Sequence, residues 1–177
     1  MYIFANRARV SHRRCQLSSN VRPHVNTLHK LNRLAVAAPL VLALGVAVAQ
    51  SSKDYASMGL ATWSAFECSS LASKSKQSKE QERLFLFGFK QGQTFVDAVR
   101  AGKVDKKDMN SEVPIGVLFL LQGPSTDFIL GRIYEAAQDE ALKDVFGPAG
   151  QMNSNELQLV IAQNKFRKSN CSLLGAR

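Results

Sequence analysis

Asp127, Arg132, Glu135, Asp139 and Glu140 crowd one short stretch of this 177-residue chain. Two carboxylates held about 5–10 Å apart can act as acid and base in glycoside hydrolysis. On a helix, however, Arg132 stands three residues before Glu135, and Lys143 stands four after Asp139. Both spacings set opposite charges side by side on a solvated face. Asp127 falls where a helix would begin, and a carboxylate there is favoured by the helix dipole. The cluster therefore reads as a helix start with weak surface ion pairs. A carboxylate-based hydrolase is the minor alternative. The more distinctive pattern is the corner Gly123-Pro124-Ser125-Thr126-Asp127-Phe128, followed by Gly131-Arg132. It reads either as a capped junction between two helices or as a surface for a partner. Its candidate contact residues are Gly123, Ser125, Asp127, Arg132 and Glu135.

Other chemistry is limited by what the chain lacks after residue 49. All three histidines, His12, His24 and His29, come earlier. Without histidine, residues 50–177 offer no Ser-His-Asp or Cys-His site and none of the usual zinc or copper ligand sets. No Walker loop, dinucleotide-binding glycine motif or calcium loop stands in the sequence. No catalytic residue, metal or other cofactor is expected. A general base near neutral pH would have to be a carboxylate or lysine with a strongly shifted pKa. Recognition of another protein is the simpler mode of action.

The net charge of +9 is unevenly placed. Residues 1–49 carry Arg7, Arg9, Arg13, Arg14, Arg22, Lys30 and Arg33 and no acid, leaving 16 basic and 14 acidic residues in the remainder. That balance, with no basic stripe, gives no electrostatic footprint for nucleic acid. Residues 34–49, LAVAAPLVLALGVAVA, hold no charge. Lys30 and Arg33 precede this run, and Ala47-Val48-Ala49 closes it with small residues. Basic flank, apolar core and A-x-A end describe a secretory signal peptide. An uncleaved anchor would want about 20 apolar residues; this run is shorter and contains Pro39 and Gly45. An Arg-rich, acid-free leader also fits an organellar transit peptide. The leading expectation is cleavage after Ala49. It leaves a mature domain of residues 50–177 in the periplasm or outside the cell, with no stable membrane insertion.

Exported chains meet oxidising conditions. Cys68 and Cys171 are the only cysteines in residues 50–177 and are expected to form one structural disulfide. There is no C-x-x-C, so a redox-active pair is not expected.

Several elements must position these groups. Met58, Ala61, Ala65, Cys68 and Ala72 recur at helical spacing between Tyr55 and Ala72, widened by Tyr55, Trp63 and Phe66. Residues 50–54 read as loose, and 73–79, SKSKQSK, as a connection. Ser78 with Gln81 has the capping-box pattern. It opens a second helix over residues 79–101, with Phe85, Phe89, Val96 and Val99 apolar and Gly102 as its stop. Gly88 and Gly92 read as space for a neighbouring Phe or Trp63; close approach of a helix or ligand is the alternative. Residues 103–112 form a charged connection. Pro114 opens a buried, central helix across residues 117–121. Ser125 or Thr126 caps a long helix to Phe146, whose inner stripe is Leu130, Ile133, Ala137, Ala141 and Val145. Residues 149–153 form a loop. Ser154 or Asn155 caps a last helix to Lys168, with Leu157, Val160 and Ile161 inward. The sum is an all-α bundle of four or five helices.

In layout, an exported helical chain with Cys68 on its first helix, Gly88-Phe89-Lys90-Gln91-Gly92 on its second and Cys171 near its end resembles periplasmic immunity proteins that neutralise type VI secretion amidase effectors. A second cysteine pairing found in some of those proteins is missing here. No motif carries over an effector-contacting residue. The resemblance implies a non-catalytic protein whose partner is another protein. A small-molecule or lipid carrier with an apolar cavity near Phe85, Phe89 and Gly92 is the alternative.

Overall fold

Small residues put the first helix, α1 (Ser52–Lys74), at the centre of the molecule. The computed structural model describes residues 50–148 and 151–176. The expected signal peptide, residues 1–49, lies outside them. Helix α1 begins earlier than the sequence pattern suggests, because Ser51 and Asp54 form a capping box. Asp54 N–H donates to Ser51 Oγ at 3.2 Å, and Ser51 N–H donates to Asp54 Oδ2 at 2.9 Å. Ala56, Gly59, Ala65 and Ala72 let neighbours approach on several sides. Thr62 and Ser70 are buried, and each returns its hydroxyl to the carbonyl one turn back, at Met58 and Phe66. The burial of these hydroxyls is thereby offset.

Four long helices carry the domain: α1, α2 (Ser78–Arg100), α5 (Thr126–Phe146) and α6 (Asn155–Lys168). Two short ones, α3 (Lys106–Glu112) and α4 (Ile115–Leu118), lie between α2 and α5, and a 3-10 turn, Cys171–Leu173, follows α6. The described residues contain no strand. The all-α architecture with one disulfide matches the sequence reading; α3 forms within the stretch read as a charged connection, and α4 is a single turn in place of the expected helix at 117–121.

The turn between α1 and α2 spans only residues 75–77. Lys76 takes a left-handed φ of 58°, and Gln77 N–H closes back on Ala72 O at 2.9 Å. The expected Ser78–Gln81 capping box does not form. Ser78 is already the first helical residue, Gln77 holds the cap position, and the Gln81 carbonyl accepts from the buried Ser69 hydroxyl at 3.0 Å. Gly102, with φ of 66°, ends α2 as expected: Lys103 N–H reaches Ala98 O and Gly102 N–H reaches Val99 O.

The buried face of α2 is Leu84, Gly88, Gly92, Phe95 and Val96. Of the expected stripe only Val96 is fully buried, and Phe85 stands partly out. The glycines explain the rotation. A Cβ on Gly88 would sit 3.0 Å from Ala65 and from the Phe66 ring, and one on Gly92 would sit 2.5 Å from Leu130 and 3.0 Å from Thr62. Helix α2 is thus drawn against α1, with Phe66 beneath Gly88 and Leu130 of α5 beside Gly92. Trp63 lies against Gly116 instead.

The inner stripe of α5 is as expected: Leu130, Ile133, Ala137, Ala141 and Val145 are all buried. The apolar run at residues 117–121 is not central. Pro114 and the Gly123-Pro124 stop leave room for one helical turn, and only Val117 is fully buried. The face of α6 also differs. Gln158, Ala162 and Phe166 point inward, whereas Leu157 and Val160 are exposed. Gln158 sets this rotation by donating from Nε2 to Asn153 O at 2.6 Å, while Asn153 Nδ2 donates to Val145 O at the end of α5.

Cys68 and Cys171 are joined, with their Cα atoms 5.5 Å apart. The bond lies among Leu71, Leu84, Leu142, Val145 and Phe166 in one of two apolar clusters. Arg83 of α2 holds the segment beyond it. Its guanidinium donates to the carbonyls of Leu174 and Cys171 while pairing with Glu80 at 2.8 Å.

Gly131, on the exposed face of α5, has nothing within 4 Å of where a Cβ would stand. Gly131→Ala is expected to raise the stability of the domain by about 0.5–1 kcal/mol, since glycine costs about that much in a helix interior. An upward shift of the urea midpoint at unchanged slope checks this.

Candidate functional site

The corner between α4 and α5 is built by two arginines. Ser125 is the N-cap of α5 and accepts from Phe128 N–H at 3.1 Å. Ahead of it, residues 119–124 carry main-chain carbonyls that no helix satisfies. Arg132 Nη1 donates to Gln122 O at 2.9 Å, and its guanidinium lies 5.8 Å from the centre of the Phe128 ring. From α2, Arg100 donates to Thr126 Oγ1 at 2.9 Å and Gly123 O at 3.4 Å. Thr126 in turn donates to Asp97 Oδ1 at 3.3 Å. A Cβ on Gly123 would stand 2.5 Å from the Phe128 ring and 3.1 Å from Ile129.

Of the five candidate contact residues, Gly123, Ser125 and Arg132 are joined in this corner. Asp127 lies exposed in the first turn of α5, and Glu135 is exposed further along it. Among the described residues neither takes part in an ion pair. The expected Arg132–Glu135 pair is absent there because Arg132 turns back to the Gln122 carbonyl. Lys143 pairs with Glu140 at 3.1 Å and not with Asp139. These acids are therefore not gathered into an acid–base pair by hydrogen bonding.

Apolar groups stand out at this corner, among them Phe119, which the sequence reading places inside. Ile115 is 65% exposed, Phe119 75% and Phe128 49%. Ile115 and Phe119 are four residues apart and linked by the Phe119 N–H to Ile115 O bond, so they share one side of the α4 turn. An exposed apolar cluster rimmed by polar groups is the usual mark of an interaction surface. Phe119 lies in the apolar run at 117–121 that is legible in sequence; that it and Ile115 face outward is not.

Glu67 is a second feature outside the sequence reading. It is the only charged residue between Tyr55 and Ser73, and it stands half-buried on α1. Burial pushes its carboxyl above the usual range; the nearby Trp63 indole N–H acts the other way, Glu140 adds to the rise, and Lys165 opposes it. Lys165 is itself paired with Asp144 at 3.3 Å. A carboxyl raised on folding favours the protonated native state. Its stabilising contribution is complete below the ordinary Glu range and is lost as pH rises through the raised value. Glu67→Gln, which does not titrate, is expected to melt a degree or two above wild type at neutral pH, with the gap closing toward pH 4, on the order of a fraction of a kcal/mol. Thermal melts at both pH values check it; a gap that widens on acidification would reverse the sign.

The aromatic groups expected near a cavity fill space instead. Phe85 packs on Phe66, Phe89 and Tyr134 at 5.8, 6.0 and 5.4 Å between ring centres. A cleft of about 700 Å³ opens elsewhere, between the start of α1, α2 and the C-terminal segment, lined by Asp54, Met58, Phe87, Gln91, Leu174 and Gly175 among others. No described helix is long and apolar enough to cross a membrane. Among the described residues no three His, Cys, Asp or Glu side chains are grouped to hold a metal ion. Compared with known proteins, the chain matches no family model, no curated protein and no solved structure.

Proposed function

We propose that residues 1–49 direct export and are removed after Ala49, and that the mature domain acts in the periplasm or outside the cell by binding another protein. Catalysis has no part in this reading. The observation that carries it is the exposed pair Ile115 and Phe119, just ahead of the corner that Arg100 and Arg132 bond at Gly123 and Gln122. A preorganised apolar knob loses little entropy on binding, and aromatic anchors supply most of the energy at protein interfaces. Its sharpest form is immunity to a secreted toxin, which a toxin gene beside this one would favour.

The double variant Ile115→Ser/Phe119→Ser tests the proposal. Both side chains are exposed, so the helical circular dichroism and unfolding midpoint are expected to stay near wild type. Affinity for the partner recovered from the envelope fraction is expected to fall at least about tenfold, or about 1.4 kcal/mol. Equal recovery by the variant would remove the corner from the interface.

A carrier of small molecules is the second reading, favoured by the 700 Å³ cleft, which is of ligand size. It separates from the first by position: Phe87→Ser would impair a carrier and leave the corner intact.

A further inference from the structure

Cleavage after Ala49 would make a glutamine the first residue of the mature chain. We infer that Gln50 is a modification site, closing on itself to pyroglutamate so that the mature protein has no α-amino group. The inference rests on the processing proposed above. In the step, the Gln50 α-nitrogen attacks its own side-chain Cδ. A C–N bond forms, the Cδ–Nε2 bond breaks, and ammonia leaves with the displaced proton. No oxidant, reductant or co-reactant is needed.

In the structure, residue 50 lies outside the bonding that starts the domain. Gln50 is exposed and lies just outside α1. Among the described residues, no hydrogen bond engages its carboxamide, and no helical bond uses its main-chain N–H. The restraint begins one residue later. Ser51 donates from its main chain at 2.9 Å and from its hydroxyl at 2.8 Å to Asp54 Oδ2, so the cap is complete without residue 50. Ring closure therefore breaks no bond of the folded domain. The lactam keeps one N–H on the former α-nitrogen, and among the described residues no helical bond depends on it. It also removes an ammonium charge next to a helix N-terminus, where the dipole disfavours a cation. The Asp54 carboxylate, the group that would attract such an ammonium, is already engaged by Ser51. Gln50 lines the 700 Å³ cleft with Asp54, Gln91, Gly175 and Ala176, so closure leaves that rim without an amine.

The full-length gene is expressed and the exported protein collected for intact-mass measurement and amine labelling at the N-terminus. The expected result is a chain of residues 50–177 lighter by one ammonia, with an unlabelled N-terminus that becomes reactive after pyroglutamyl aminopeptidase exposes Ser51. A mature chain of residues 50–177 at full mass with a reactive α-amine would overturn the inference and leave the processing intact. A chain that keeps residues 34–49, or begins elsewhere, would overturn both. Gln50→Ala is the control: it is expected to be exported and folded like wild type, with a reactive amine. If that variant is also blocked, a different modification is responsible and the inference fails.

Discussion

Removal of the Cys68–Cys171 bond is expected to lower the stability of the domain by about 2–4 kcal/mol. The two residues are 103 apart in sequence, so the bond closes a loop across most of the domain. The chain-entropy model puts a ceiling of about 4.7 kcal/mol on a loop of about 100 residues. Both cysteines are buried in an apolar cluster, so alanine is the better replacement; serine would add the cost of a buried hydroxyl. Cys68→Ala/Cys171→Ala should unfold at a lower urea concentration. The segment after Lys168 should show it first, because only the Arg83 bonds and the packing of Cys171 and Leu174 on that cluster would then hold it. Hydrogen exchange at residues 171–176 is expected to rise well before global unfolding. An unchanged urea midpoint would show that packing around Phe166 and Leu84 carries the C-terminus without the bond. For a domain whose whole stability is on the order of 5–15 kcal/mol, the loss would be a large fraction.

Phe66→Ala is expected to cost about 3–5 kcal/mol, the range for deleting a buried aromatic ring. Phe66 is fully buried on the central helix. Its ring stacks near Phe85 at 5.8 Å, meets Tyr134 edge-on at 5.2 Å, and touches the backbone face opened by Gly88. Helices α1 and α2 already meet at Gly88 and Ala65, so they cannot draw closer to fill the gap. A cavity would remain where three helices join. Phe66→Leu, which keeps most of the volume, should lose distinctly less. Urea unfolding of the two variants checks the order. If alanine costs no more than leucine, the helices have closed the gap and the packing at Gly88 is softer than its contacts indicate.

Helix α5 shows how much was legible. Its cap at Ser125, its end at Phe146 and five of its buried residues follow from spacing and from the residues at its two ends; Ile129 and Leu142, also buried, widen the stripe. The all-α class and the pairing of the two cysteines follow for equally local reasons: periodicity, helix stops, and a single possible partner. Helix α6 shows where this stops. Leu157, Val160 and Ile161 form an apolar stripe, yet the buried face is Gln158, Ala162 and Phe166, about one residue's rotation away. A hydrogen bond from Gln158 to Asn153 and the bond at Cys171 orient that helix, and neither has a helical period. The same holds for α2, where two glycines outweigh two phenylalanines because backbone can approach where side chains are missing.

The corner depends on both kinds of information. Its boundaries, its cap and its arginine are written locally in residues 123–132. That Arg132 turns to the Gln122 carbonyl and away from Glu135, and that Phe119 faces solvent, depends on how α2 and α5 pack. An apolar run signals burial only when a space at the centre is free to receive it. Here α1 takes that space, because its alanines, glycine and self-bonded hydroxyls can be surrounded closely. Local sequence determined the four long helices to within a few residues, and which cysteines of residues 50–177 pair. Tertiary packing decided which faces turn inward, because it depends on distant residues competing for one interior.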